Sequence, residues 1–145
     1  TRCTDFEDPA KGGDAAAQLA ALRSVAEAAG ESCAAVGECG LDYERLEFCP
    51  KELQLKYFEQ QLRALALPLQ KPLFLHCRTS AAAKDLVRLL EPLRAQLPVP
   101  PGVVHSFDGS LQDAQSLMDL GFFIGLNGCS LKTAENLEVV RQLPE

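Results

Sequence analysis

Glu38, His76 and His105 are the residues whose types and spacing could do chemistry together. The chain has two histidines, and each follows a short apolar run: Leu73, Phe74 and Leu75 before His76, and Val103 and Val104 before His105. Glu38 follows the small apolar residues Cys33 to Val36 and Gly37. The intervals from Glu38 to His76 (38 residues) and from His76 to His105 (29 residues) each match about one βα unit. In a parallel sheet, successive strand ends lie along one edge, and α/β folds keep their active sites at the carboxyl ends of the strands. One carboxylate and two imidazoles would converge there, a donor set suited to Zn²⁺, Mn²⁺, Mg²⁺ or a similar divalent ion. Each residue alone has a plainer explanation. A histidine can be hydrogen-bonded in the core, and a glutamate can be paired with an arginine, because burying a carboxylate unpaired is costly. The joint pattern favours a metal centre.

These side chains need strands behind them. The run Leu73–Leu75, bounded by Pro72, reads as a buried parallel strand with His76 at its carboxyl end. Thr79 or Ser80 caps the helix that follows, with Ala83, Leu86, Leu90 and Leu93 inward and Pro92 kinking or ending it. Upstream, Thr1 to Gly13 reads as a loop, and Asp14 caps an alanine-rich helix that reaches Ala29 and closes at Gly30. Cys33 to Val36 form a strand with Glu38 at its end, and Pro50 starts a helix with Leu55, Phe58, Leu62 and Leu65 buried, ended by Pro68. Downstream, Gly102 to Val104 form a strand, Asp108 and Gly109 turn the chain, and Ser110 caps a helix closed by Gly121. Phe122 to Leu126 form the last strand, and a last helix runs from about Thr133 to Leu143. Strand and helix alternate four times behind a leading helix, which predicts an α/β fold with a parallel sheet.

The 145 residues suffice for one domain with a real core, and 47% hydrophobic with 23% charged residues is a globular balance. The net charge is −6, and no block of Lys and Arg occurs. A broad basic surface for nucleic acid is therefore not supported, and a polyanionic substrate would need a local cation. The six cysteines Cys3, Cys33, Cys39, Cys49, Cys77 and Cys129 form no C-x-x-C pair and predict reduced, intracellular thiols. No apolar run approaches a membrane span. The chain begins at Thr1 and ends at Leu143-Pro144-Glu145 with no closing signal, which reads as part of a longer protein.

GECGLD (Gly37 to Asp42), LHCR (Leu75 to Arg78) and HSFDG (His105 to Gly109) resemble, in order, the signatures of the TatD family of metal-dependent deoxyribonucleases. CPKELQLKYFEQQL and NGCSLKT resemble its eukaryotic members. The resemblance runs from Val36 onward and is weak before it. It implies a partial TIM-type (β/α)₈ barrel: an interior slice of about four parallel strands with flanking helices, making residues 1–145 one metallohydrolase domain incomplete at both ends. It further implies hydrolysis of DNA phosphodiester bonds, with 3′-to-5′ exonuclease action. Mg²⁺ is the expected ion, and Mn²⁺ or Zn²⁺ the alternatives. By position, Glu38, His76 and His105 match the family's metal ligands, and Arg78 could contact a substrate phosphate. Two family elements are absent: the amino-terminal strand with further ligands, and the late strand whose E-T-D aspartate helps activate water. No catalytic residue is therefore assigned. Two other readings stand beside the nuclease: a related hydrolase of an ester or amide, such as an aminoacyl-tRNA deacylase, and an inactive form acting only through protein contacts. DNA is the expected partner, no membrane is involved, and the expected location is intracellular, in nucleus or cytoplasm. No oligomeric state follows from the sequence.

Overall fold

The carboxylate of Asp14 accepts the Ala17 amide at 3.0 Å and starts α1 (Ala15–Ala29), which closes at Gly30. The computed structural model describes residues 3–144. After α1 come β1 (Val36–Asp42), α2 (Lys51–Gln61), α3 (Leu67–Leu69), β2 (Leu73–Arg78) and α4 (Ser80–Leu90). They are followed by β3 (Gly102–His105), α5 (Leu111–Asp119), β4 (Phe123–Ile124) and α6 (Ala134–Gln142). Thr79, Ser110 and Thr133 cap α4, α5 and α6 as Asp14 caps α1, each side chain accepting an amide of the first turn. The four strands are parallel and stand in the order β1-β2-β3-β4. Among the described residues, no helix is long and apolar enough to cross a membrane.

Four sequence expectations need correction. The stretch Thr1 to Gly13 holds two short 3₁₀ turns, Cys3–Phe6 and Pro9–Lys11; its first two positions, Thr1 and Arg2, lie outside the described residues. The first strand is Val36–Asp42 rather than Cys33–Val36, so Glu38 lies within it and not at its end. β2 also continues past Leu75 to Arg78, because Cys77 keeps the alternation of buried positions begun by Leu73 and Leu75. Pro68 does not end the second helix. The segment Leu62–Ala66 widens into a π turn, and Pro68 then falls in the first turn of α3, where a missing amide hydrogen costs little. Gln70, with φ of 51°, makes the stop.

The helices cover one face of the sheet. Leu41, Leu75 and Val104 are fully buried there, together with Phe58, Leu62, Leu86 and Leu117 from the helix layer. The other face is open. Pairing aligns Gly37 with Phe74, Phe74 with Val103 and Val103 with Phe123, and this row points away from the helices. Phe74 is 39% and Phe123 63% exposed. A parallel sheet with helices on one side only, and apolar side chains on the other, has the layout of a slice through a (β/α)₈ barrel with its inner face uncovered.

Candidate metal centre

A register shift in β1 decides which face Glu38 joins. Gly37 pairs with Phe74 and Cys39 with Leu75, so Glu38 has no partner in β2. Strict alternation would put Glu38 with Val36 on the helix-covered face. The extra residue instead leaves Gly37 and Glu38 both exposed between buried Val36 and buried Cys39. Beyond it, Gly40 pairs with His76 and Asp42 with Arg78, and His76 pairs with His105. All of these sit on the open face. Gly40 has φ of 137°, and a Cβ there would collide with the His76 carbonyl, so β1 and β2 approach closely only because this position is glycine.

Glu38, His76 and His105 meet in the structure, as the sequence spacing predicts. Glu38 Oε1 lies 3.0 Å from His76 Nδ1 and 2.9 Å from His105 Nε2. One donor atom from each residue falls within 4.8 Å of the other two. The histidine side chains are 17% and 20% exposed, while that of Glu38 is half exposed. The cluster therefore has low-dielectric walls and one side toward solvent. The His105 ring stacks on Phe74 with centroids 4.4 Å apart and planes 7° from parallel.

Burial pushes the His76 pKa below the ordinary imidazole value, against the pull of Asp42 and Glu38, so His76 is neutral at pH 7. Burial pushes the Glu38 carboxyl up, but the His105 hydrogen bond and the two imidazoles outweigh it and leave Glu38 below the usual glutamate value. For His76 and Glu38 these directions favour the charge states of metal ligands: neutral imidazole and ionised carboxylate.

The donor set fits a divalent cation. Ligands about 2.0–2.2 Å from one ion stand about 3–4 Å apart, a range that the 3.0 Å and 2.9 Å Glu38–imidazole distances approach, while the three donor atoms together span up to 4.8 Å. Whichever ring nitrogen of a neutral His76 carries the proton, the other turns a lone pair toward a carboxylate oxygen, Glu38 at 3.0 Å or Asp42 at 3.2 Å. Two acceptors at that distance repel unless a cation or proton lies between them.

Arg78 lies on the same face, but its guanidinium is held in an ion pair with Asp108, whose backbone carbonyl also accepts from Asn136 Nδ2 at 3.0 Å. Phosphate would have to share Arg78 with Asp108. Three neighbours of the cluster were not identified from the sequence. Asp42 Oδ2 lies 3.2 Å from His76 Nε2, Ser106 Oγ lies 2.9 Å from His105 Nδ1, and Asn127 Nδ2 donates to Ser106 Oγ at 2.7 Å. Asp42 did carry a signal. It is a carboxylate closing an apolar strand four residues after Glu38. Ser106 and Asn127 carried none, because they are brought together across β3 and β4.

Four parallel strands and an outer helix layer, with the Glu-His-His cluster on the open face, define a partial (β/α)₈-type barrel. The comparisons with known proteins agree. The profile of the family described as TatD related DNase matches residues 8–145, and the chain belongs to that family. It is 47% identical over 127 residues to a Schizosaccharomyces pombe protein named "Deoxyribonuclease Tat-D", covering 88% of this chain and 39% of that one. It is 43% identical over 110 residues to "3'-5' ssDNA/RNA exonuclease TatD" of a Rahnella strain, covering 76% of this chain and 40% of that one. The crystal structure of an uncharacterized amidohydrolase from Saccharomyces cerevisiae superposes with a TM-score of 0.78 at 35% identity, over 96% of this chain and 46% of that one. The chain thus spans about two fifths of the length of these curated relatives.

Proposed function

We propose that the chain carries the metal-binding strands of a divalent-metal-dependent hydrolase that cleaves DNA phosphodiester bonds, with 3′-to-5′ exonuclease action, and that it acts within a complete barrel. The observation that carries this reading is the meeting of Glu38, His76 and His105 within 4.8 Å on the open face. The names of the fission yeast and Rahnella relatives support a nuclease among the hydrolases this donor set can serve. Glu38, His76 and His105 would hold the ion; when bound, it lowers the pKa of water and offsets charge developing on a phosphate. The protein's own share is binding and orientation. The open face admits a strand end at half-exposed Glu38, Phe74 packs against the His105 ring, and Arg78 stands beside the cluster for a phosphate oxygen. A cationic centre of this kind lets a chain of net charge −6 hold a polyanion without a basic surface. Residues 1–145 form one domain, Mg²⁺ is the working ion with Mn²⁺ or Zn²⁺ as substitutes, and the free thiols agree with an intracellular location.

The test uses single-stranded DNA labelled at either end, with the chain as given beside a version extended to the length of its curated relatives. The extended protein should shorten DNA from the 3′ end only with metal present, and should lose that activity on Glu38→Ala. Metal-independent cleavage, or an unaffected Glu38→Ala variant, would overturn the reading. The yeast structure named as an amidohydrolase favours one further arm, an ester or amide substrate such as an aminoacyl-tRNA. Turnover of that substrate alone would move the proposal from nuclease to deacylase.

A further inference from the structure

We propose that Cys3 and Cys49 are a thiol pair that closes into a reversible disulfide, with a low-molecular-weight disulfide such as oxidised glutathione as the oxidant. The bridge fastens the amino-terminal segment to the loop before α2. It does not depend on the ion.

The two cysteines stand 46 residues apart in sequence and share a small core of their own. Cys3, Cys49 and Tyr57 are buried together, and Phe6, Ala15 and Leu53 pack against them. The thiols of Cys3 and Cys49 are in hydrogen-bond contact, and Cys49 also donates to the Pro50 carbonyl at 3.7 Å. Both are free, as are the other four cysteines. Sulfurs in such contact need little movement to reach an S–S distance of about 2.05 Å. The other thiols are placed differently. Cys33 and Cys77 turn to the backbone carbonyls of Ala35 and Thr79, at 3.7 and 4.0 Å. Cys39 is near enough to feel the charge of a Cys3 thiolate but makes no hydrogen bond with it.

Cys3 sits in a lightly anchored part of the chain. Before Asp14 the backbone forms two 3₁₀ turns of four and three residues. They rest on α2 through the Phe6–Tyr57 stack, with centroids 4.7 Å apart, and through Glu7, which accepts from the Tyr57 hydroxyl at 2.7 Å and pairs with Lys56 at 2.6 Å. Contacts confined to one patch let the segment lift while the sheet stays folded. Closed, burial pushes the Cys3 thiol up to about 12 and keeps it unreactive. Lifted, Cys3 ionises as an exposed thiol. Its thiolate attacks one sulfur of oxidised glutathione, a new S–S bond forms as the old one breaks, and one glutathione thiolate leaves. When the segment folds back, the Cys49 thiolate attacks Cys3 Sγ and expels the second glutathione thiolate. The two protein thiols have then lost two electrons and two protons, and the oxidised glutathione has gained them as two thiols. Reduced glutathione in excess runs both steps backward.

The anchor point is itself firmly held. The Cys49 carbonyl accepts Gln54 Nε2 at 2.8 Å, and fully buried Gln54 also accepts the Asp42 amide at 2.7 Å and donates to the Asp42 carbonyl at 2.8 Å. The bridge therefore joins the amino-terminal segment to a loop that Gln54 ties to the end of β1.

The experiment equilibrates the 145-residue chain with graded mixtures of reduced and oxidised glutathione at mildly alkaline pH, traps free thiols by alkylation and maps unreduced tryptic peptides by mass spectrometry. Cleavage after Arg2, Lys11, Arg45 and Lys51 puts Cys3 and Cys49 on separate peptides that hold no other cysteine. A linked peptide joining residues 3–11 to residues 46–51 should accumulate as the oxidised fraction rises, and should vanish on reduction. In concentrated urea the link should lose its preference, because the fold is what brings these thiols together. In Cys3→Ser, Cys49 should form no bridge. The urea midpoint of the bridged chain should lie about 1 M above that of the reduced chain. A link from Cys3 to Cys39 or to any other cysteine would overturn the inference. So would Cys3 held only as a mixed disulfide with glutathione, or the same set of links in urea as in buffer. These readings need no variant to fold. A bridged chain no more resistant to urea than the reduced one would overturn the fastening of the segment.

Discussion

Leu75→Ala and Phe123→Ser, compared in one denaturation series, test the one-sided packing of the sheet. Leu75 is fully buried on the helix-covered face, and its removal leaves a cavity against the helix layer. Leu→Ala at such sites costs about 2–5 kcal/mol; at about 3 kcal/mol the unfolding constant rises about 140-fold, and Tm should fall by about 10 °C. Phe123 is 63% exposed on the open face, so roughly a third of its side chain leaves water on folding. Burying a whole phenylalanine is worth about 1.5–3 kcal/mol, so Phe123→Ser should cost about 1 kcal/mol or less. Urea unfolding followed by far-ultraviolet circular dichroism gives both numbers. The midpoint of Leu75→Ala should drop by several times the shift of Phe123→Ser, with similar slopes. If Phe123→Ser costs as much as Leu75→Ala, the supposedly open face is packed in this chain, and the partial-barrel layout is wrong.

Two further outcomes follow from the same packing. Burial pushes the thiols of Cys39 and Cys77 up to about 12, whereas an unfolded thiol ionises near 9; between those values the unfolded chain has released protons that the folded chain retains, so stability should fall as pH rises from about 9 to about 12. Urea midpoints across that range should decline less steeply in a Cys39→Ala, Cys77→Ala double variant, and an unchanged slope would count against this origin. Gly40→Ala combines a φ of 137° with a collision against the His76 carbonyl. The backbone strain alone is of order 1–3 kcal/mol, so a urea-derived loss below about 0.5 kcal/mol would contradict the close β1–β2 approach.

The helix starts were legible because their signal is local. Asp14, Thr79, Ser110 and Thr133 each cap a helix with a side chain three residues before the amide it accepts, and such pairs are written in nearby sequence. The two histidines were legible because each directly follows a short apolar run, which marks the carboxyl-end region of a buried strand. What lay beyond the sequence was long-range. The shift at Glu38 appears only when β1 is laid beside β2, since one inserted residue looks in sequence like the end of a strand. The Asp42–His76 contact spans 34 residues and depends on that shift, because Asp42 reaches the open face only after the parity of β1 has changed. The Arg78–Asp108 pair likewise needs the turn after β3 folded back on β2, so Arg78 looked free in the sequence and is paired in the fold.

A single ion shared by Glu38, His76 and His105 is the property on which the proposed chemistry depends most directly. Isothermal titration of the 145-residue chain with Mn²⁺, Zn²⁺ and Mg²⁺ measures this without any substrate. One ion should bind per chain, weakly because three protein ligands leave the shell unfilled, and binding should vanish in Glu38→Ala and in a His76→Ala, His105→Ala double variant that keep the parent's circular dichroism. An absence of saturable binding by the unmodified chain for all three ions, or equal binding by variants stripped of these ligands, would contradict it.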